Sequence, residues 1–299
     1  MKVSIIIPTY NREKYIASAI QSVLDQSYSY NELIIIDDCS TDNTLKVVSQ
    51  FQDDRIKLIR SEVNGGNAQA RNQGIRHASG DLLFFLDSDD YYERSYLTEM
   101  IVFISENPEN GFYWCGSNFI NGDDQVYKRE YWEPKFSLPG DSFFYELRIG
   151  TNNGICFRRE VFDSCGYFEE KLRASVDRDF FLRISTKFSG KGYHKFLINC
   201  RIGTHSSLRK DYKYQALAYN YFLQIYKSKI KSDPVLRSWW FHKAMWLNLY
   251  NGNMKNAFNC YLNIPFNLKS TFIFLVFLVL GKSIGIRAHQ AAGKKGISK

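Results

Sequence analysis

The sequence predicts an α/β fold in which a mostly parallel sheet is covered by helices on both faces, and three observations carry that expectation. Short β-branched runs alternate with stretches of helical apolar period through the first ~90 residues. Two of those runs end in adjacent aspartates, at Asp37-Asp38 and at Asp89-Asp90. The apolar run Leu82-Leu83-Phe84-Phe85-Leu86 stops abruptly in Asp87-Ser88-Asp89-Asp90. In an open α/β sheet ligands bind beyond the carboxyl ends of the strands, so a buried strand that ends in acids reads as a site as well as an element.

Taken in order, Val3 to Ile7 reads as a short buried strand broken by Pro8-Thr9-Tyr10-Asn11. Asn11 is placed to cap a helix whose apolar positions Ile16, Ala19, Ile20, Val23 and Leu24 recur at helical spacing. Leu33 to Ile36 is a second strand, and it leads through Asp37-Asp38-Cys39-Ser40-Thr41-Asp42 to a helix with Leu45, Val48 and Phe51. Arg55 to Arg60 is a third strand, Gly65-Gly66-Asn67 a turn, Ala68 to Ala78 a third helix, and the run ending at Leu86 the fourth strand. The strand ends of such a sheet converge on one edge. Asp37, Asp38, Asp87, Asp89 and Asp90 are therefore expected around one crevice, although Asp37 and Asp38 suit turn or helix N-terminal positions equally well. Beyond them Tyr92 to Asn107 reads as helix and Gly111 to Ile120 as strand. Asn121-Gly122-Asp123-Asp124 reads as a solvated hairpin turn, and Tyr127 to Gly140, with Trp132, Pro134 and Pro139, as an irregular loop facing an acceptor.

Carboxylates packed as closely as Asp87, Asp89 and Asp90 repel one another unless a cation sits among them. Their hard oxygens favour Mg2+ or Mn2+, ions that usually arrive carrying substrate phosphates; a solvated acidic turn is the other reading. The charge is unevenly placed. Up to residue 180 there are 19 Lys and Arg against 29 Asp and Glu, whereas from 181 onward 20 Lys and Arg face only Asp211 and Asp233. That split suggests a cation site in the first part and an anionic surface opposite the second, for which lipid headgroups and nucleic acid both qualify. No nucleic-acid recognition motif accompanies the charge, so no specific nucleic-acid partner is expected. Cysteines 39, 115, 156, 165, 200 and 260 show no metal-finger or C-x-x-C spacing and are expected as free thiols. Val3 to Ile7 is too short for the apolar core of a signal peptide, which places the expected site of action in the reducing cytoplasm. The chain has no G-x-x-x-x-G-K-[ST] loop, which disfavours ATP hydrolysis.

Four segments, Pro8-Thr9-Tyr10-Asn11-Arg12, Ile36 to Asp42, Gly66 to Gly74 and Phe85 to Asp90, resemble in order and spacing the inverting family 2 glycosyltransferases. The resemblance implies a GT-A fold, meaning a Rossmann-like nucleotide-binding mixed sheet with helices on both faces, here with a C-terminal helical extension. It further implies a nucleoside-diphosphate sugar donor and a divalent metal, Mg2+ or Mn2+. Carried over, Pro8, Tyr10 and Asp38 would line the base and ribose pocket, Arg71 would help hold the nucleotide, Asp87 would contact the ribose and Asp89 would hold the metal. Thr151 to Glu160 resembles the family's small-residue strand before a helix, with Gly154 where backbone approaches the sugar. Val176-Asp177-Arg178-Asp179 resembles the family's Glu-Asp-x-Asp helix, with Val176 in place of Glu, and makes Asp177 the general base. Inversion by single displacement needs a carboxylate on the face opposite the leaving group. Asp177 and Asp179 would also suit the positive end of a helix, paired with Arg178 and Arg183. Arg201 to Arg209 resembles a family segment in which His205 approaches the metal or diphosphate; a loop or capping role is equally open.

These readings divide the chain into a catalytic domain at 1–210, with a nucleotide-binding half at 1–90 and an acceptor half at 91–210, and a helical, basic region at 211–299. Phe272 to Leu280 is nine consecutive apolar residues between Lys269 and Lys282. That is shorter than the ~20 residues of a spanning helix. It suits a helix lying on an anionic membrane surface, or a buried helix of the C-terminal region. The expected activity is transfer of one sugar, from a donor leaning toward uridine, to a hydroxyl of a glycan or polyprenyl-diphosphate-linked acceptor in bacterial surface glycan synthesis. The protein would be peripheral on the cytoplasmic face of the membrane. The alternative is a catalytically silent nucleotide-sugar-binding or scaffold module.

Overall fold

A computed structural model describes residues 1–28, 31–133, 143–144, 154–201, 203, 211–264 and, between 271 and 287, all but 273, 280, 282 and 285. The chain divides into two compact units, Met1–Ser206 and Ser207–Lys299.

The first unit opens with β1 (Val3–Thr9), α1 (Ile16–Leu24), β2 (Asn31–Asp37), α2 (Thr44–Val48), β3 (Ile56–Arg60), α3 (Asn67–His77) and β4 (Leu82–Phe85). These four strands are mutually parallel. The chain continues through β5 (Tyr91–Tyr92), α4 (Tyr96–Ser105), β6 (Phe112–Ile120), β7 (Val126–Glu130), β8 (Cys156–Arg158), α5 (Arg159–Cys165), α6 (Val176–Ile184) and β9 (Gly190–Arg201). Among the described residues all nine strands form one sheet, ordered β3-β2-β1-β4-β8-β6-β9-β5, with β7 paired to β6. Strand β8 runs antiparallel to β4 and β6, so the sheet is mixed. β1 and β4 are buried along their whole length. That explains their unbroken apolar runs, since a strand covered on both faces has no polar side to alternate.

One face packs β1, β2 and β4 against α1 and α4 through Ile5, Ile7, Ile20, Phe84 and Leu97. On the other, α3 lies close to β1 at Gly74, where an added Cβ would fall 2.4 Å from Ile6 Cγ2. Beside it the ring of Phe157 packs against Phe85, Phe112, Phe162, Phe180 and Phe181 at centroid distances of 5.3–6.2 Å. Two of these rings, Phe180 and Phe181, belong to α6. The helix is therefore seated on the sheet by aromatic packing.

Several elements differ from the sequence reading. β1 does not stop at Ile7. Thr9 O accepts from Asp38 N on the β2 side and Ile6 O from Leu86 N on the β4 side, so Pro8 addresses the β4 side beyond the last pairing, Ile6 with Phe85. The missing N–H costs no ladder bond there. Asn11 does not cap α1, which begins after Tyr15. It adopts φ 53°, and its Oδ1 accepts from Thr41 N at 2.8 Å, tying two edge loops together. Tyr91–Tyr92 pairs with β9 as a short strand before α4 begins. Val126–Glu130, read as irregular, is a strand exposed along its whole length. A strand that branches off β6 and is exposed throughout has no buried face to show an apolar alternation. The turn before it is the solvated hairpin turn expected, with Asn121 Oδ1 accepting from Asp123 N and Gln125 N at 3.0 and 2.9 Å.

At the amino edge of the strands Glu32 accepts from Ser4 Oγ, Ser79 N, Ser79 Oγ and Lys57 Nζ at 2.6–2.7 Å. Burial alone would push this carboxyl up, but bonds from Lys57, Ser4 and Ser79 outweigh it and hold it at about 2, against an ordinary 4.5. A carboxyl depressed by folding stabilises the fold above its unfolded value and loses that contribution as pH falls. Glu32 should therefore contribute roughly 2 kcal/mol at neutral pH, discounted for the half-exposed Lys57. The contribution should disappear between about pH 4.5 and 2. Urea unfolding of Glu32→Gln across that range checks it: the variant should be the less stable at pH 7, with a deficit that shrinks steadily below pH 4.5 and nearly vanishes by about pH 2, and a deficit that does not change with pH would show that the carboxylate charge is not what matters.

The second unit contains α7 (Tyr212–Ile225), α8 (Lys227–Ser232), α9 (Pro234–Asn251) and α10 (Met254–Tyr261). Asp211, Asp233 and Asn253 cap α7, α9 and α10 by accepting backbone N–H bonds, and Pro234 starts α9 where no N–H is needed. Tyr219, Phe222 and Trp240 form its aromatic centre. Residues 271–272 and 274–279 are also helical. No helix among the described residues is long and apolar enough to cross a membrane.

Candidate active site

The parallel strands deliver their acids to one edge. β2 ends at Asp37 and continues to Asp38, and β4 is followed by Asp87, Ser88, Asp89 and Asp90. Asp37 is fully buried; its Oδ2 accepts from Ser40 N at 3.1 Å and faces Arg60 Nε at 3.7 Å. These contacts tie down the loop after β2. Asp38 instead reaches across to the loop before α3, where its two oxygens accept from Gly65 N and Gly66 N at 2.8 and 2.7 Å. Gly66 sits at φ 83° and caps α3, so the two glycines form the turn and also supply two backbone donors. Each Asp38 oxygen keeps a second lone pair, and two donors on one carboxylate set its direction. Pro8 is buried beneath this edge and Tyr10 stands at it, 42 % exposed.

Arg71, on α3 and buried, joins two acids that lie far apart in sequence. Its Nη1 donates to Asp177 Oδ1 at 2.8 Å and its Nη2 to Asp87 Oδ1 at 3.3 Å. The guanidinium also lies 5.6 Å from the centre of the Phe168 ring. Asn72, the next residue of α3, donates to Phe168 O and accepts from Phe168 N. Helix α3 thus holds the segment leading to α6. Asp177 and Asp87 are each about one-third exposed, so a buried cation bridges two carboxylates open to a ligand.

Asp177 lies in the first turn of α6, entered through Ser175 in the left-handed conformation at φ 58°. Asp179 is fully buried and accepts from Arg183 Nε at 2.8 Å, while Arg183 Nη1 and Nη2 donate to Cys165 O and Tyr167 O, both at 2.7 Å. Asp177 thus faces Arg71, while Asp179, through Arg183, fastens α6 to Cys165 and Tyr167.

Asp89 is nearly buried, with Arg12 Nε 4.0 Å away. Burial pushes the neighbouring Asp90 carboxyl well up, and repulsion from Asp87 and Asp89 adds to it. Asp90 Oδ1 accepts from Arg201 N at 3.0 Å, and Arg201 Nη1 donates to Asp89 O at 3.3 Å. The structure adds Arg12 and Arg201 to the site. Both stand inside motifs visible in the sequence, but their partners come from other segments. Gly154 adopts φ 53°, and a Cβ there would fall 2.8 Å from Ile198 and 2.9 Å from the Tyr96 hydroxyl. In the fold, what its missing side chain admits is therefore protein. His205 and residues 134–142 lie outside the described residues.

Among the described residues no three His, Cys, Asp or Glu side chains are grouped to hold a metal by themselves. Asp87 and Asp89 are nonetheless hard oxygen donors flanking one residue at a strand end. One or two carboxylates are the usual protein share for Mg2+ or Mn2+ when diphosphate oxygens complete the shell, so the residues present fit a metal that arrives with its ligand.

Parallel strands with acids at their carboxyl ends, continued by a mixed half that carries a further carboxylate on a helix, define an α/β fold of the GT-A type. The crystal structure of Staphylococcus aureus TarS 1–349 in complex with UDP shares this fold, with a TM-score of 0.61 at 21 % identity over 88 % of each chain. The Pyrobaculum calidifontis mannosyltransferase PcManGT in complex with GDP-Man and Mn2+ matches with a TM-score of 0.55 at 17 % identity, over 100 % of this chain and 88 % of that one. Residues 4–166 match Glycosyl transferase family 2, and the chain belongs to that family.

Its relatives include the putative teichuronic acid biosynthesis glycosyltransferase TuaG of Bacillus subtilis, 43 % identical over 35 % of this chain and 42 % of its own. The poly(ribitol-phosphate) beta-N-acetylglucosaminyltransferase TarS of Staphylococcus aureus is 39 % identical over 61 % of this chain and 32 % of its own. The UDP-Glc:alpha-D-GlcNAc-diphosphoundecaprenol beta-1,3-glucosyltransferase WfgD of Escherichia coli is 42 % identical over 42 % of this chain and 49 % of its own. The matched stretch thus spans less than half the length of these three relatives.

Proposed function

We propose that the protein is a metal-dependent inverting glycosyltransferase that moves one sugar from a nucleoside-diphosphate donor to a hydroxyl of a lipid-linked or polysaccharide acceptor. The observation that carries this reading is Arg71, which spans Asp87 and Asp177 at 3.3 and 2.8 Å and so brings a donor-side carboxylate and a base to one cation. Asp38, aimed by Gly65 and Gly66, accepts from the nucleotide base beside Pro8 and Tyr10, and Asp87 takes the ribose. Asp89 would hold Mg2+ or Mn2+, and His205, outside the described residues, would be a further ligand. Bound there, the metal would neutralise charge developing on the leaving diphosphate. Arg71 adds a fixed cation to the same task in a site that needs no reorganisation. Asp177 takes the proton from the acceptor hydroxyl as that oxygen bonds to the anomeric carbon. The bond from that carbon to the diphosphate breaks on the opposite face, and the nucleoside diphosphate leaves.

UDP in the TarS complex and UDP-Glc in the name of WfgD support a uridine donor. The diphosphoundecaprenol-linked substrate of WfgD supports a lipid-linked acceptor. All six cysteines are free, in keeping with action in the reducing cytoplasm. Residues 1–210 would form the catalytic domain.

The test is a thermal-shift screen against UDP, GDP, dTDP and CMP, each with and without Mn2+. A ligand at about a hundred times its Kd stabilises the native state by ~2.7 kcal/mol. A Mn2+-dependent rise in Tm with UDP, lost in Asp89→Ala, is expected. No shift with any of the four would overturn the donor site, and binding without turnover of any UDP-sugar would favour a silent binding module.

A further inference from the structure

The helical residues 271–272 and 274–279 are apolar on both sides, and the fold uses only one of them. Phe274 packs against Tyr261 and Phe258 of α10, at 4.8 and 6.3 Å between ring centres, and Phe277 packs against Trp246 and Tyr250 of α9. On the outer side Phe272, Leu275, Leu278 and Val279 are 67, 50, 52 and 78 % exposed. Phe272, Leu275 and Val279 fall at i, i+3 and i+7, which is a single helix face. Met254, Phe258 and Leu262 make a second exposed row along α10, at i, i+4 and i+8. Phe258, in the middle of that row, stacks on Phe274 of the inner side.

The charge of this unit indicates what covers the face. Residues 207–299 carry 15 Lys and Arg against two acids, a net of +13. Both acids, Asp211 and Asp233, are engaged as helix N-caps. A second copy of the chain would bring a like charge against this one, whereas an anionic bilayer supplies apolar depth and opposite charge together.

We propose that the outer face of 271–279, continued by the exposed row of α10, lies in the interface of a membrane rich in anionic lipid, with the helix parallel to the surface. The inference goes beyond the transfer reaction and does not depend on it. Leu275 and Val279 insert at the level of the acyl chains, while Lys255 reaches the headgroups.

The experiment is co-sedimentation of the full chain with phosphatidylcholine vesicles containing or lacking phosphatidylglycerol, together with light scattering of the protein alone. Binding to the anionic vesicles, weakened by salt and reduced at least ~10-fold in Leu275→Glu/Val279→Glu, is expected. Both positions are exposed, so the variant should keep the parent Tm. No binding to anionic vesicles, or undiminished binding by the variant, would overturn the proposal. So would a dimer that the variant dissociates, because the face would then be covered by a second copy.

Discussion

Asp177→Asn is expected to lower turnover of a UDP-sugar onto a lipid-diphosphate-linked sugar by about 10²–10⁴, the range for loss of a general base. Binding of UDP with Mn2+ should change little. The substitution suits the site, because the side chain is about one-third exposed and its Oδ1 accepts one bond from Arg71. An asparagine oxygen can accept the same bond, and Arg71 keeps Asp87 as its second partner. What the amide loses is the capacity to take a proton. A variant that binds donor and turns over at the parental rate would place the base elsewhere. Weakened donor binding with unchanged kcat would instead give Asp177 a purely structural part through Arg71.

The second large effect is expected in the aromatic packing under the base helix. Phe157 is buried on β8 and touches rings from β4, β6, α5 and α6. Phe157→Ala should cost about 3–5 kcal/mol, because so many facing rings cannot all collapse into the space left behind. The urea midpoint reads this directly. Because Phe180 and Phe181 belong to α6 and pack directly on Phe157, they transmit the change to the helix whose first turn carries Asp177. Turnover should therefore fall at temperatures where the variant is still folded. A loss below about 1 kcal/mol would mean that the rings repack freely.

Much of this was legible along the chain because its causes are local. β1, β2 and β4 are apolar runs since both of their faces are covered, and residues that end such runs in Asp stand at the carboxyl edge by topology alone. The hairpin turn at Asn121 and the helices from Tyr212 to Tyr261 follow from turn chemistry, caps and spacing. The exposed strand β7 was illegible for a matching reason, since a strand with no buried face has no alternation to read.

The 272–280 run was ambiguous because its sequence is apolar all round. A single helix can satisfy both readings, with Phe274 and Phe277 turned inward and Leu275 and Val279 outward.

By itself, then, the sequence determined the order of strands and helices in the nucleotide half, the edge on which the acids gather and the family to which the chain belongs. Tertiary structure alone decided what each acid meets. Asp38 is held by Gly65 and Gly66, Asp179 is spent on Arg183, and Asp177 is brought to Arg71 from 106 residues away. The division has a physical reason: a strand or a cap is set by neighbours along the chain, whereas an ion pair across the sheet edge exists only once helices from both halves are packed on the same strands.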